Sequence, residues 1–232
     1  MNKLTVLFII LCLTSCAELQ GIADQYPQMG ITETEIASGL KQALNKGIET
    51  EVSKLTEDGG FFRNELVRIT LPPELQRVDQ TLRDIGLERL ADQGLQVLNR
   101  AAEEAVKEAT PIFVNAVRDM TITDARNILM GSEDAATTYL RDKTMEELYS
   151  KFNPVILSSL DKVGANDIWT NIINRYNAIP LTSKVNPDLS DYVTQEALEG
   201  VFTMIAVEEH QIRTNLEART SNILRRVFAL QD

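Results

Sequence analysis

The residue types that carry most enzyme chemistry are scarce in this 232-residue chain, which has one histidine and two cysteines. His210 follows Glu208 and Glu209. A ferritin-like di-iron site needs Glu-x-x-His on two helices, but Val207 stands where the glutamate would be and there is no second histidine. No carboxylate spacing resembles an EF-hand. A Ser/His/Asp set would have to use His210, which sits in a helical pattern among acidic side chains, and no Gly-x-Ser-x-Gly elbow is present. Gly59-Gly60 leads into Phe61-Phe62 rather than Lys-Ser or Lys-Thr, so the sequence also lacks a phosphate-cradling loop. The expectation is no catalytic set, no metal and no cofactor.

The cysteines point to a different chemistry. Lys3 precedes an apolar run from Leu4 to Leu13, the length of a signal-peptide core. Leu13-Thr14-Ser15-Cys16 places an aliphatic and two small residues before a cysteine, which matches the lipobox pattern of bacterial lipoproteins. The run falls short of the roughly 18 apolar residues that a membrane span needs. Leu13 is too large for an A-x-A-like cleavage site. Cleavage between Ser15 and Cys16 is therefore expected, followed by thioether attachment of a diacylglyceryl group to the Cys16 thiol. The freed amine can take a third acyl chain such as palmitate. Each buried methylene contributes about 0.8 kcal/mol, so two or three long chains hold the protein on a bilayer. Ala17 rather than Asp after the cysteine implies, by resemblance to lipoproteins of Gram-negative bacteria, a place on the periplasmic face of the outer membrane. Cys12 leaves with the signal peptide and Cys16 is consumed by lipid. The mature chain then has no thiol for a disulfide or a zinc site.

The formal charge is −11, and loss of Lys3 makes the mature chain one unit more negative. With no basic run to override it, this balance argues against nucleic acid or anionic headgroups as main partners. The partners expected are the membrane through the N-terminal lipid, an envelope protein, or a small apolar ligand.

The elements that position the remaining side chains read as one all-α, multi-helix domain over residues 31–232, with 1–15 as signal peptide and 16–30 as lipidated tether. A first helix from Thr32 or Thr34 puts Ile36, Leu40, Ala43, Leu44 and Ile48 on one face and stops at Asp58-Gly59-Gly60. Residues 61–71 alternate like a strand, but a strand needs a partner. The expectation there is an extended segment across the helices, or one arm of a minor hairpin near 65–71. Leu87, Ala91, Leu95, Leu98, Ala102 and Ala105 form a helical stripe. Pro111 either kinks that helix or starts a new one with Thr110 as N-cap. Thr123-Asp124-Ala125 opens a short helix, Thr144 with Glu147 forms a capping box, and Asn153-Pro154 breaks the pattern. Residues 179–188 read as a loop, Asp191 leads a long helix, and Ser221 to Leu230 forms the last.

On this frame Glu209 extends the stripe of Leu198, Phe202 and Ile205 toward the core, and Arg213 is four residues on, in pairing register. Asn99 and Glu103 flank the stripe of their helix, while Arg100 and Glu104 face outward. Thr137-Thr138-Tyr139-Leu140-Arg141 gathers hydroxyls and a guanidinium with little specificity of its own.

Several segments resemble a bacterial family catalogued as domain of unknown function 4197. They include Gly39 to Leu44, Ile69 to Pro72, Asn99 to Glu103, Asp124 to Gly131, Ala136 to Tyr139, Ala197 to Phe202, Glu208-Glu209, Ile212-Arg213, Ala218 to Thr220 and Val227-Phe228. Leu216 departs from the family pattern, which usually has Pro there. The resemblance implies an exported, often lipid-anchored helical domain and draws attention to Asn99, Glu103, Glu209, Arg213 and Arg219. The expectation is that these five meet as a buried network joining the central helix to the C-terminal pair. The leading functional reading is a non-enzymatic binding or structural module. The alternatives are a helical carrier of a small apolar ligand in an interhelical cavity and, more weakly, a carboxylate-dependent hydrolase around Glu209.

Overall fold

Thr32 starts the first helix, α1 (Glu33–Thr56), through a capping box with Glu35. The computed structural model describes residues 31–72, 76, 80, 83–181 and 184–231. The signal peptide, the Ser15–Cys16 junction and the tether lie outside them. After α1 come α2 (Glu88–Val106), α3 (Ala109–Asp119), α4 (Ile122–Leu129), α5 (Ala135–Asp161), α6 (Ala165–Asn177), α7 (Leu189–Thr214), a 3-10 turn (Leu216–Ala218) and α8 (Asn222–Phe228). The fold is all-α, with no strand among the described residues. Among them, too, no helix is long and apolar enough to cross a membrane.

Helices α5 and α7, of 27 and 26 residues, each run about 40 Å and pack along one another. Helix α2 lies against both, and α1 packs on α7, α3, α4 and α8. The core is one cluster in which the Phe113 ring meets Phe202 edge-on at 5.7 Å and Phe61, Phe152, Leu140 and Leu148 are fully enclosed.

Segment 61–71 pairs with no strand. Turns occupy 58–63 and 65–67, and 68–72 is irregular. Most of the segment expected to be extended is therefore turned, only 68–71 of it running without turns, and no hairpin forms; Asn99 replaces the missing strand neighbour at Ile69. Its amide oxygen accepts from the Ile69 N–H at 2.8 Å and its NH2 donates to the Ile69 carbonyl at 2.8 Å. One side-chain amide thus satisfies both backbone groups of a buried residue, as a β-ladder would.

Several helix boundaries differ from expectation. Pro111 does start a new helix, but the cap is Glu108, not Thr110. Proline is tolerated in the first turn, where its absent N–H would have no partner. The short helix is capped by Thr121, whose hydroxyl accepts from Asp124 N while Asp124 accepts from Thr121 N. Thr144 caps nothing. It sits inside α5, buried, with its hydroxyl donating to the Leu140 carbonyl at 2.7 Å. The helix also runs on through Asn153-Pro154, because Leu148, Phe152, Ile156 and Leu160 continue one buried stripe on both sides of the exposed Pro154. Asp188 rather than Asp191 caps α7. At its other end Asn215 ends α7 and accepts from Glu217 N, supplying the break without a proline.

Candidate functional site

Glu209 and Arg213 project one turn apart from α7 into the corner between α4 and α5. Glu209 Oε1 accepts from Ala136 N at 2.9 Å and from Arg213 Nη2 and Nε at 2.7 and 3.0 Å. Its Oε2 accepts from Thr137 N and Thr137 Oγ1, both at 2.8 Å. Asp134, the residue before α5, makes no capping bond of its own. Glu209 therefore caps α5 from across the bundle, with a carboxylate at the positive end of the helix dipole. Arg213 does the converse at α4, donating to the Ile128 and Leu129 carbonyls at 2.9 and 3.2 Å. Both side chains are under a tenth exposed. The desolvation that opposes a buried pair is offset here by four further hydrogen bonds to backbone and one to a hydroxyl.

Arg219, 1% exposed, closes the end of α7 itself. Its Nε donates to the Ile212 carbonyl at 3.1 Å and its Nη2 to the Arg213 carbonyl at 2.9 Å. Arg225 Nε in turn donates to the Arg219 carbonyl at 3.0 Å. The three residues form one clamp that ties α4, α5, α7 and the start of α8 through their helix ends.

Asn99 and Glu103 do not belong to that clamp. They sit on α2, where Asn99 holds Ile69 and Glu103 Oε1 accepts from Phe61 N at 3.2 Å. Among the described residues no hydrogen bond joins them to Glu209, Arg213 or Arg219. The expected single network is thus two separate clusters, although its members are buried or nearly so. Helical periodicity fixes how deep a side chain lies, but not which neighbouring element it meets.

Other polar groups escaped the sequence reading. Glu51 falls on the Leu44, Ile48, Leu55 stripe of α1 and is buried there, with Oε1 bound to Lys54 Nζ at 2.6 Å and Oε2 unpartnered. Glu208 faces the same seam, close enough to Gly47 that a Cβ there would lie 3.0 Å from its Cγ. Burial, then the charge of Glu51, pushes the Glu208 carboxyl above its ordinary range. At the middle of α5, Tyr149 OH donates to Asp191 at 2.5 Å, a bond that pushes the phenol up to about 12. Trp169 stacks on Tyr192 at 5.8 Å and donates to the Asn186 carbonyl, fastening the loop before α7.

A family model described as protein of unknown function (DUF4197) matches residues 30–229. The chain belongs to the DUF4197 family. No curated protein and no solved structure matches it. The DUF4197 span takes in the clamp, the Asn99–Glu103 cluster and every described helix. Within it, the apolar pocket between α1, α7 and α8, lined by Leu40, Leu44, Ile205 and Phe228, has a volume of about 30 Å³. That holds a water or two, where a lipid-sized ligand needs several hundred. The largest space among those described is an open groove of about 490 Å³ between α5 and α7, with Thr137, Thr138, Arg141, Thr203 and His210 on its walls. Its guanidinium is already engaged: Arg141 holds Glu199 through two bonds, at 2.8 and 3.1 Å, and lies over the Phe202 ring.

Proposed function

We propose that the protein is a lipid-anchored cell-envelope protein whose helical body is a non-enzymatic binding or structural module. The observation that carries this reading is the saturation of Glu209, the residue on which a hydrolase reading would have to rest. Its two oxygens accept five hydrogen bonds, which leaves no lone pair aimed at a substrate. The lipobox-like Leu13 to Cys16 run supports the anchor, and Ala17 supports the outer membrane as its destination. The small apolar cavity speaks against the carrier alternative.

The test is in-cell crosslinking with mass spectrometry, run beside membrane fractionation, on wild type and Cys16→Ser. Wild type should take up labelled palmitate, fractionate with the outer membrane and crosslink to specific envelope partners. Cys16→Ser should lose the label, the fractionation and some of those partners. A wild type that takes up no label removes the anchor. Partner lists that agree between the two forms make the anchor incidental to binding.

A further inference from the structure

We propose that the cleft between the 58–63 turn and α2 binds a small ammonium–phosphate zwitterion, with the ammonium leading and the phosphate at the mouth. This deepens the binding-module reading and does not need the anchor.

The cleft has a volume of about 240 Å³, and Glu103 lines it at 5% exposure. One oxygen of Glu103 takes the single 3.2 Å bond from Phe61 N, and among the described residues the other accepts none and is not sealed from the cleft. An ionised carboxylate has about four acceptor sites, and the fold fills one of those on Glu103. The contrast with the five bonds on Glu209 is direct. Around the opening stand Arg63 and Arg100, with side chains 74% and 73% exposed. Both lean on one carboxylate, Asp58, at 3.9 and 3.6 Å. Those distances exceed the roughly 2.7–2.9 Å of a formed charge-assisted bond. Two guanidiniums facing one acid leave a positive charge at the mouth, and Glu103 leaves a negative charge inside.

A ligand that complements this order is positive at its tip and negative behind. A primary ammonium supplies three donors for the free oxygen of Glu103, and Gln96, two turns away on α2, also lines the cleft. A phosphate behind it meets two forked guanidiniums, the geometry that arginine favours for phosphate. Gly59 lets the Arg63 side chain lie directly against the turn. It sits at φ +83°, and a Cβ there would lie 2.8 Å from Arg63 Nε. The volume suits a compound the size of phosphoethanolamine and is too small to house a lipid's acyl chains as well. The same chemistry exists as a free metabolite and as a lipid headgroup, so the experiment separates the two sources.

The full chain, purified in detergent, is titrated with O-phosphoethanolamine while the Gly59 and Phe61 amide resonances are followed by NMR. The expected result is saturable shifts that Glu103→Gln and the double variant Arg63→Ala/Arg100→Ala weaken roughly ten- to a hundredfold, the loss of one or two charge-assisted bonds. Phosphocholine, whose quaternary nitrogen has no N–H to donate, should bind more weakly than phosphoethanolamine. Glutamine at 103 can still accept from Phe61 N, so an unchanged melting temperature certifies the fold of that variant. A second arm compares hydrogen exchange of residues 58–63 in vesicles of phosphatidylcholine with and without phosphatidylethanolamine. Saturation by the free compound alone assigns a soluble ligand, and protection by phosphatidylethanolamine that Glu103→Gln abolishes assigns the headgroup. No saturable shift and no protection, or responses that Glu103→Gln leaves intact, would overturn the proposal. Neither result bears on palmitate labelling of Cys16, so failure here is distinguishable from failure of the anchor.

Discussion

Glu209 and Glu103 are both buried glutamates on long helices, yet their surroundings differ in kind. Glu209 faces two backbone N–H groups, a hydroxyl and an arginine that is itself bound to two carbonyls. Glu103 faces one N–H at 3.2 Å, and beyond it a polar cleft. The difference teaches how to separate structural from ligand-facing polarity where sequence alone treats them alike. Where every acceptor site is filled by the fold, removing the group breaks the fold. Where sites are left open toward a cleft with surplus charge at its mouth, removing the group changes what the cleft can hold.

The comparison predicts its largest effect at the clamp. Glu209→Ala strips α5 of its cap and leaves Arg213 buried without a counter-charge, a combination that costs about 3–5 kcal/mol. Urea unfolding monitored by circular dichroism should show it as a large drop in midpoint. Glu103→Gln in the same assay should lose less than 1 kcal/mol, a rough bound for weakening one long hydrogen bond. Equal losses at the two positions would erase the distinction drawn here.

Asn99→Ala comes next. It leaves the buried N–H and carbonyl of Ile69 unpaired, with an expected loss of about 2–3 kcal/mol. The Ile69 amide should change from slow to fast hydrogen exchange while the amides of α7 keep their protection. That local signature would establish that segment 61–71 is held by α2 and not by the clamp.

How far the sequence reaches is clear from these same residues. The depth of Glu209, its pairing with Arg213 and the outward turn of Arg100 followed from 3.6-residue periodicity, which is a property of one helix. The all-α class followed for the same reason. The partners of Asn99 and Glu103 did not, because they are backbone groups of a segment thirty or more residues away in the chain. Thr144 and Pro154 misled in the opposite direction. Each carries a local signal for a helix end, and each is overridden by the buried stripe from Leu140 to Leu160 that packs α5 against α7 and α2. The Glu103 cleft was invisible since its mouth pairs Arg63, from a turn after α1, with Arg100 on α2, an adjacency that only the folded chain creates.

Glu208 is an intermediate case, half-buried beside Glu51 at the α1–α7 seam, and it sharpens the comparison through pH. Its carboxyl is raised in the folded state by burial and by Glu51, so above its ordinary range the unfolded chain gives up its proton first. Glu208 therefore favours folding less and less as pH rises from about 4.5, the ordinary glutamate range, until the folded carboxyl has also ionised. Glu196 is raised by burial and Glu199 and works in the same direction, whereas Asp124, lowered chiefly by its Thr121 bonds, works in the opposite one. The Glu208 contribution is isolated by subtraction: the difference in melting temperature between Glu208→Gln and wild type should grow in favour of the variant from pH 4.5 to 7. A difference that stays flat would show that the seam accommodates both charges at no cost.

The smallest stability effect belongs to the mouth of the cleft, and there the comparison is most exposed. Arg63 and Arg100 are largely solvated and their contacts with Asp58 are long. Surface pairs of this kind contribute about 0–1 kcal/mol, so Arg63→Ala/Arg100→Ala should unfold within about 0.5 kcal/mol of wild type. The same variant is expected to lose zwitterion binding. A mutation silent in the urea curve and large in the titration is the mirror image of Glu209→Ala, which should be large in the urea curve and, at residual folded populations, normal in the titration. If the double variant instead unfolds as readily as Glu209→Ala, the two arginines are a second clamp. The free oxygen of Glu103 would then be an imperfection of packing, not a site.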